Sequence, residues 1–394
     1  MLKNRFPYFK NSKNIYLDNA ATTQKLDSSI EAMNKYYFEY CSNTHRSSFG
    51  DANEATKNYE DTRAFIKEYI NAKENKEIIF TKGVSESINF IANSFGKKFN
   101  TIIISSLEHH SNIVPWHMQK RSLYNGLEVV NYKENLEFDF EHFEELLKAN
   151  SNALVSLTHI SNAFGVIHDI KKITSLAHKY DTPVLIDGAQ SLAHMKVDMQ
   201  DIDCDFFAFS SHKTFGPTGV GGVYIKESFL DKLEAYQTGG ATISDVSYER
   251  SILLDSPYKF EAGTQNIAGV IGFGEVLKWL KKQNFGVIEK HEKELYDYLH
   301  EELQKIPNII LYNDTKNAIG SKSFNIKGIH HDDIGTLLDK QHIAIRVGHH
   351  CAQPIMKELG IKGTIRVSIA FYNTKEDIDI FIKALNKAIS ILGE

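Results

Sequence analysis

Cysteine is scarce in this chain: only Cys41, Cys204 and Cys351 occur among 394 residues, far apart and without CxxC spacing. An odd, scattered set of thiols excludes a disulfide framework and a zinc ribbon, and points to a reducing, cytoplasmic setting. Proline is also rare, with seven residues. No Pro/Ser-rich linker, low-complexity tract or repeat interrupts the sequence. No apolar run nears the ~18 residues of a membrane span. The opening MLKNRFPYFKNSK carries charge with no apolar stretch behind it, so a secretory signal is not expected. Net charge is only -5 and the basic residues are dispersed, so nucleic acid and anionic membranes are not expected partners. Three His-His pairs stand at 109–110, 330–331 and 349–350, none with HExxH-like ligand spacing, so no metal site is expected. With 42% hydrophobic and 24% charged residues, the chain has ample core for a large domain and a smaller companion.

From about residue 76, short β-branched runs alternate with helical patterns. EIIFTKG leads into SESINFIANSF, and NTIIISS into EHHSNIVPWHMQKR. NALVSLTHISNAFG precedes DIKKITSLAHKY, and TPVLIDGAQ, CDFFAFSSHK and VGGVYIK follow. This order predicts an α/β fold with a mostly parallel sheet covered on both faces. Ligands of such sheets gather beyond the carboxyl ends of strands. Ser85, Glu86, His109, Asn162, Asp187, Gln190 and Lys213 all follow such ends. After about residue 267 a long helical stretch leads into a smaller α+β unit with strands KSFNIKG, HIAIRVG and TIRVSIAFY. A last helix is expected from a cap at Thr374, burying Ile378, Phe381, Ile382, Leu385, Ala388, Ile389 and Leu392 on one face. The expected domains are 16–279, and 1–15 with 280–394.

FSSHKTFGPTG (209–219) ends an apolar strand in a lysine, Lys213. A buried ammonium must find a counter-charge or react. Asp187, at the end of LID, gives two readings: a buried salt bridge, or a pyridoxal phosphate site with a lysine for the aldehyde and a carboxylate for the ring nitrogen. Ser210 and His212 beside the lysine suit a phosphate. TKGVSESINFIA reads as strand, glycine turn and helix start, where Ser85 and the backbone N–H of Glu86 would meet the same anion. His109 is positioned to lie flat on an aromatic ring. GPTGVGG looks like a dinucleotide loop but runs into the strand VYIK, so the nicotinamide mechanics fail. Its glycines read as a tight turn that lets backbone pass close to the cofactor. In IRVGHHCAQPIMKELG, Cys351 lies before a helix expected from Pro354 and after two histidines, and both features favour thiolate. Cys41 and Cys204 read as buried packing. Arg366, charged within an apolar strand, needs an anionic partner, and a substrate α-carboxylate is the natural one.

Taken together, YLDNAAT (16–22), EHHSNIVPW (108–116), SNAFG (161–165), DGAQ (187–190), SSHKTFGPTGVG (210–221), FEAGTQN (260–266), RVGHHCAQP (346–354) and RVSIAFYNT (366–374) resemble the cysteine desulfurases of the class V aminotransferase superfamily. The GHHCAQP stretch is similar to the SUF-system group in particular. The resemblance implies a fold-type I transferase that uses pyridoxal 5'-phosphate. Lys213 would hold the cofactor aldehyde and then serve as the Cα base. Asp187 would pair the ring nitrogen, Gln190 the ring hydroxyl oxygen, and His109 would stack. Ser85, Ser210 and His212 would hold the phosphate, joined by Thr264 across a homodimer interface. Asn162 and Arg366 would take the substrate carboxylate, with Arg346 lining the pocket and Cys351 accepting sulfur. The implied reaction converts L-cysteine to L-alanine and leaves a Cys351 persulfide for a SufE-like or SufU-like acceptor in iron-sulfur cluster assembly, with selenocysteine lyase activity alongside. One departure is Phe49 in HRSSFG, where the group often has a second histidine. Two alternatives are a transamination or β-elimination on the same scaffold, and a non-catalytic sulfur carrier.

Overall fold

A computed structural model describes residues 2–45, 48–119, 126–313 and 317–393. Apart from a short leading strand, β1 (Ile15–Tyr16), the first strands form one seven-stranded sheet. They are β2 (Ile78–Thr81), β3 (Thr101–Ser105), β4 (Gly126–Val130), β5 (Ala153–Thr158), β6 (Val184–Asp187), β7 (Phe206–Ser210) and β8 (Gly221–Ile225). Their order is β2-β8-β7-β6-β5-β3-β4. Five strands pair in parallel, while β8 runs antiparallel to both its neighbours. Strands β3, β5, β6, β7 and β8 are buried along their whole length. That is the signature of a sheet with both faces covered, and it explains why they read as unbroken apolar runs. Successive side chains alternate between two cores. Ile103, Val155, Ile186 and Phe207 join one with the Ile267–Lys282 helix; Ile102, Leu154, Leu185 and Phe206 join the other with Val84–Ser94. The sequence pattern does not single out the edge strand β4, whose three central residues are only partly covered.

A hairpin, β9 (Ile243–Val246) and β10 (Ser251–Leu253), stands largely exposed. The expected long helical stretch is two helices, Ile267–Lys282 and Phe285–Gln304, because Gln283 adopts an extended conformation between them. The smaller sheet contains β11 (Ile309–Leu311), β12 (Ser321–Ile326), β14 (Arg346–Gly348) and β15 (Thr364–Ser368), antiparallel in the order β11-β12-β15-β14. HIAIRVG, expected as one strand, divides at Ile345. Its first part, β13 (Ile343–Ala344), pairs in parallel with β1, and β14 pairs with β15. The last helix, Lys375–Leu392, starts at the expected cap, with Thr374 and Asp377 exchanging hydrogen bonds as a capping box. Its buried face (Ile378, Phe381, Ala384, Leu385, Ala388) meets Phe324, Ile365 and Val367 of the small sheet. Each fully buried large side chain there contributes about 1.5–3 kcal/mol. Phe6, fully buried, packs edge-on against Phe215, Trp279 and Tyr372.

Cys204 is buried as expected, but Cys41 is exposed. The Asp27–Glu39 helix has ended before Cys41, and the neighbouring Tyr40 takes the buried position instead.

Candidate active site

The carboxyl ends of the parallel strands open into a cavity of about 500 Å³. Asp187 is the last residue of β6, and Lys213 follows β7, the adjacent parallel strand. Their side chains line the same cavity. They do not form a salt bridge: among the described residues no carboxylate lies within ion-pair distance of the Lys213 ammonium. Burial lowers the lysine pKa, opposed by Asp187, and burial raises the Asp187 carboxyl, opposed by the Ala189 N–H and by Lys213. Two groups each destabilised by burial, facing one cavity without touching, are prepared for something between them.

The neighbouring wall is built for an anion. Gly83 has φ of +147°, and a Cβ there would lie 3.1 Å from Ser210 Oγ. Ser210 Oγ accepts from the Val84 N–H at 2.9 Å, and Ser85 Oγ lies 2.6 Å from Ser111 Oγ at the start of the Val84–Ser94 helix. The Glu86 carboxylate is turned away, accepting from Tyr236 Oη at 2.6 Å and from the Lys82 N–H, which leaves the helix N-terminus to its backbone donors. Gly221 and Gly222, the end of GPTGVGG, open β8. A Cβ on Gly221 would sit 2.5 Å from Gly83 Cα, so the close approach that these glycines permit is between two backbone strands.

Opposite stands His109, whose Nδ1 accepts from the Ser111 N–H at 3.1 Å. Burial, reinforced by Lys213, pushes its pKa down to about 3, so the ring is neutral. Glu108, which the sequence reading passed over, is fully buried and organises this corner. It accepts from Asn112 Nδ2 at 2.7 Å and the Thr158 N–H at 3.0 Å, and burial raises it to about 8.

The small sheet closes the cavity. Arg346 of β14 and Arg366 of β15 are directly opposite across the ladder, a like-charge pairing that asks for an anion. Arg366, 1% exposed, already has one: its Nη2 lies 2.6 Å from Asp18 Oδ1. Its charge therefore does not by itself require a substrate carboxylate, as the sequence suggested, because YLDNAAT supplies the counter-ion. Its Nε is buried and has no hydrogen-bond partner among the described residues. Asn162 donates from Nδ2 to the His350 carbonyl at 2.7 Å, and Gln190 donates from Nε2 to the Ala20 carbonyl at 2.9 Å, so each spends one amide proton within the protein.

Cys351, half-buried, lines the same cavity as Lys213, Arg346 and Arg366. His350 and Cys351 both adopt left-handed backbone conformations, at φ of 52° and 55°. The turn is fixed by the His110 N–H donating to the Cys351 carbonyl at 2.8 Å and the Cys351 N–H donating to His349 Nδ1 at 3.2 Å. His350 does not supply the positive charge expected beside Cys351. Burial, then Arg366 and Arg346, holds His350 down to about 2, so it carries no charge. The helix after Cys351, Gln353–Glu358, has only six residues and a weak dipole. The cation whose charge interacts with Cys351 is Lys213, and Arg346 and Arg366 line the same cavity.

Hydrogen-bond direction also fixes the His350 tautomer. Ser323 Oγ donates to the Ala163 carbonyl at 2.7 Å, so it accepts from Thr364 Oγ1 at 3.1 Å, and Thr364 in turn accepts from His350 Nε2 at 2.8 Å. Nε2 carries the proton, and Nδ1 is a bare acceptor, buried and without a partner among the described residues.

Ser85, Glu86, His109, Asn162, Asp187, Gln190, Ser210, His212, Lys213, Arg346, Cys351 and Arg366 thus converge. Thr264 does not. It lies on a second cavity with Asn43 and the β9 hairpin strand, its Oγ1 3.5 Å from Asn43 Nδ2. His330, His331 and Asp332 gather three donor atoms within 4.8 Å, away from the site, but His330 Nδ1 is spent accepting from the Asp332 N–H. Phe49 is exposed just before the Gly50–Tyr69 helix; Arg46 and Ser47 of HRSSFG lie outside the described residues.

The sequence profile described as aminotransferase class-V matches residues 15–381. The chain belongs to that family. Class-V enzymes use pyridoxal phosphate, and the residues here fit it: the unpaired Lys213 and Asp187, the Gly83 cradle and the neutral His109 suit an aldehyde, a ring nitrogen, a phosphate and a ring face. A protein named probable cysteine desulfurase from Halalkalibacterium halodurans is 40% identical, over 100% of this chain and 98% of its own. A cysteine desulfurase of Wigglesworthia glossinidia brevipalpis is also 40% identical, over 97% of this chain and 94% of its own. Among solved structures, the apo cysteine desulfurase of Thermococcus onnurineus superposes with a TM-score of 0.94 at 36% identity, covering 99% of this chain and 98% of that one.

Proposed function

We propose that this protein is a cysteine desulfurase of the SUF-system type, taking L-cysteine to L-alanine with the sulfur held on Cys351. One observation carries the reading: Cys351, on a left-handed turn, shares a cavity with Lys213 and two arginines. When bound, pyridoxal phosphate supplies a protonated ring that withdraws electrons from the substrate Cα. Arg366 and Arg346, with the remaining amide proton of Asn162, orient the substrate carboxylate. Lys213, its ammonium destabilised by burial, takes the Cα proton. The Cys351 thiolate attacks the substrate sulfur; the Cβ–S bond breaks, an S–S bond forms, Cβ gains a proton, and Cα regains the proton that Lys213 took. L-cysteine and one enzyme thiol thus give L-alanine and one persulfide without an external oxidant.

The reading extends to a homodimer in which Thr264 reaches the partner's phosphate, since Thr264 faces away from its own cavity. It also extends to a SufE-like or SufU-like acceptor, to iron-sulfur cluster supply, and to selenocysteine as a second substrate. The chain would act in the cytoplasm, with a large domain at 16–279 and a small one at 1–15 and 280–394. No described helix is long and apolar enough to cross a membrane.

Replacing Cys351 by alanine tests this. The variant should keep the visible absorbance of bound cofactor and lose cysteine-dependent alanine and sulfide formation. Wild-type sulfide release from Cys351→Ala would favour a β-elimination lyase and refute the assignment.

A further inference from the structure

Lys25 lies outside every role assigned above. All three of its ammonium protons are used, and all on neutral oxygens: Thr22 Oγ1 at 3.0 Å, the Thr23 carbonyl at 2.7 Å and the His212 carbonyl at 2.9 Å. No carboxylate pairs with it among the described residues, and burial lowers its pKa to about 8. Two buried arginines are treated differently: Arg63 is 2.7 Å from Glu261, and Arg366 is paired with Asp18. A half-buried lysine whose hydrogen bonds are complete on neutral oxygens, with no carboxylate beside it among the described residues, is suited to balance an anion that the chain itself does not supply.

The anion wall of the cavity shows the complementary lack. Its donors are the Ser85 and Ser210 hydroxyls and the backbone at the start of the Val84–Ser94 helix, all formally uncharged. His212 is neutral, pushed down to about 4 by burial, by Lys213 and by Lys25 itself. Lys213 acts on His212 as well as on Asp187, but it is the residue that would hold the cofactor aldehyde. Lys82 lines the rim but is exposed, where water screens it. A phosphate monoester brings about 1.5 to 2 negative charges. Lys25 is joined to this wall through the His212 carbonyl, which also accepts from Thr22 Oγ1 at 3.0 Å and Thr23 Oγ1 at 3.2 Å.

We infer that Lys25 is the buried counter-charge for the cofactor phosphate, acting through the His212 segment without touching the anion. This rests on pyridoxal phosphate binding with its phosphate at Gly83–Ser85. A charge in a low-dielectric wall attracts a dianion strongly even from beyond contact distance.

The test compares two probes on stripped protein, pyridoxal phosphate and unphosphorylated pyridoxal, each titrated by absorbance. K25M should weaken pyridoxal phosphate binding at least tenfold and leave pyridoxal affinity unchanged; K25R should retain most of the phosphate preference. Equal loss for both probes would make Lys25 a simple brace for the backbone at His212 and overturn the proposal, as would no loss for either. If K25M does not fold, K25Q keeps an amide donor and carries the same comparison. Wild-type protein binding neither probe would instead defeat the cofactor assignment itself, an outcome distinguishable from the others.

Discussion

Replacing Asp18 by asparagine removes one charge and almost no volume, and it should destabilise the protein by about 3 kcal/mol. The pair is 2.6 Å long, with Arg366 1% and Asp18 22% exposed in their side chains. Coulomb's law at that distance, with an effective dielectric near 20, gives roughly 6 kcal/mol gross. The partial exposure of Asp18 and the oxygen that asparagine keeps reduce this by about half, which meets the lower end of the ~3–5 kcal/mol seen when one partner of a buried pair is deleted. Arg346, opposite Arg366 across the ladder, adds repulsion that Asp18 no longer offsets. The measurement is urea unfolding of stripped protein, comparing Asp18→Asn, Arg366→Met and the double variant. Because the methionine removes the orphaned guanidinium, the double variant should lose far less than the sum of the singles, with a coupling of about 2 kcal/mol or more. An Asp18→Asn variant within about 0.5 kcal/mol of wild type, or additive singles, would refute the reasoning.

Gly83→Ala places a methyl 3.1 Å from Ser210 Oγ at a φ of +147°, so it should cost about 1–3 kcal/mol and weaken cofactor binding, read by absorbance titration. Thr364→Val removes the hydroxyl that accepts from His350 Nε2 and should cost about 1–3 kcal/mol, whereas Thr364→Ser should be nearly neutral; nitrogen NMR of the imidazole should show a more strongly biased tautomer where the hydroxyl survives. His178 bonds Asp205 at 2.9 Å, and that bond raises its pKa above the usual 6.5. Since the folded-state value is the higher one, this stabilisation is full below pH 6.5 and is lost as pH rises through the folded-state value. His178→Gln should therefore narrow its stability deficit as pH rises through that window, and a deficit constant from pH 6 to 9 would contradict the assignment.

Residue order alone carried a great deal. The buried strands were legible because a sheet covered on both faces demands uninterrupted apolar runs, and their polar followers marked where a ligand sits. The Thr374 cap and the stripe from Ile378 to Leu392 were legible for the same reason: hydrogen bonds and periodicity within one segment do not depend on the rest of the chain. What was not legible turned on burial, on where an element ends, or on partners remote in sequence. That Arg366 already has a counter-ion could not be read from its own strand, because Asp18 lies 348 residues away. The histidines beside Cys351 looked like sources of charge, yet their surroundings leave His350 neutral, since burial penalises the protonated form more than local sequence can reveal. Cys41 was taken for core although the helix ahead of it stops too soon. Glu108 and Lys25 attracted no notice because an isolated carboxylate or lysine is ordinarily a solvated surface group. Strand identity and the chemical inventory of the site were thus set by local sequence, through side-chain alternation and backbone hydrogen bonding. Which charges are paired, neutral or left waiting was decided only by the fold, because electrostatic energy depends on distance and burial rather than on position along the chain.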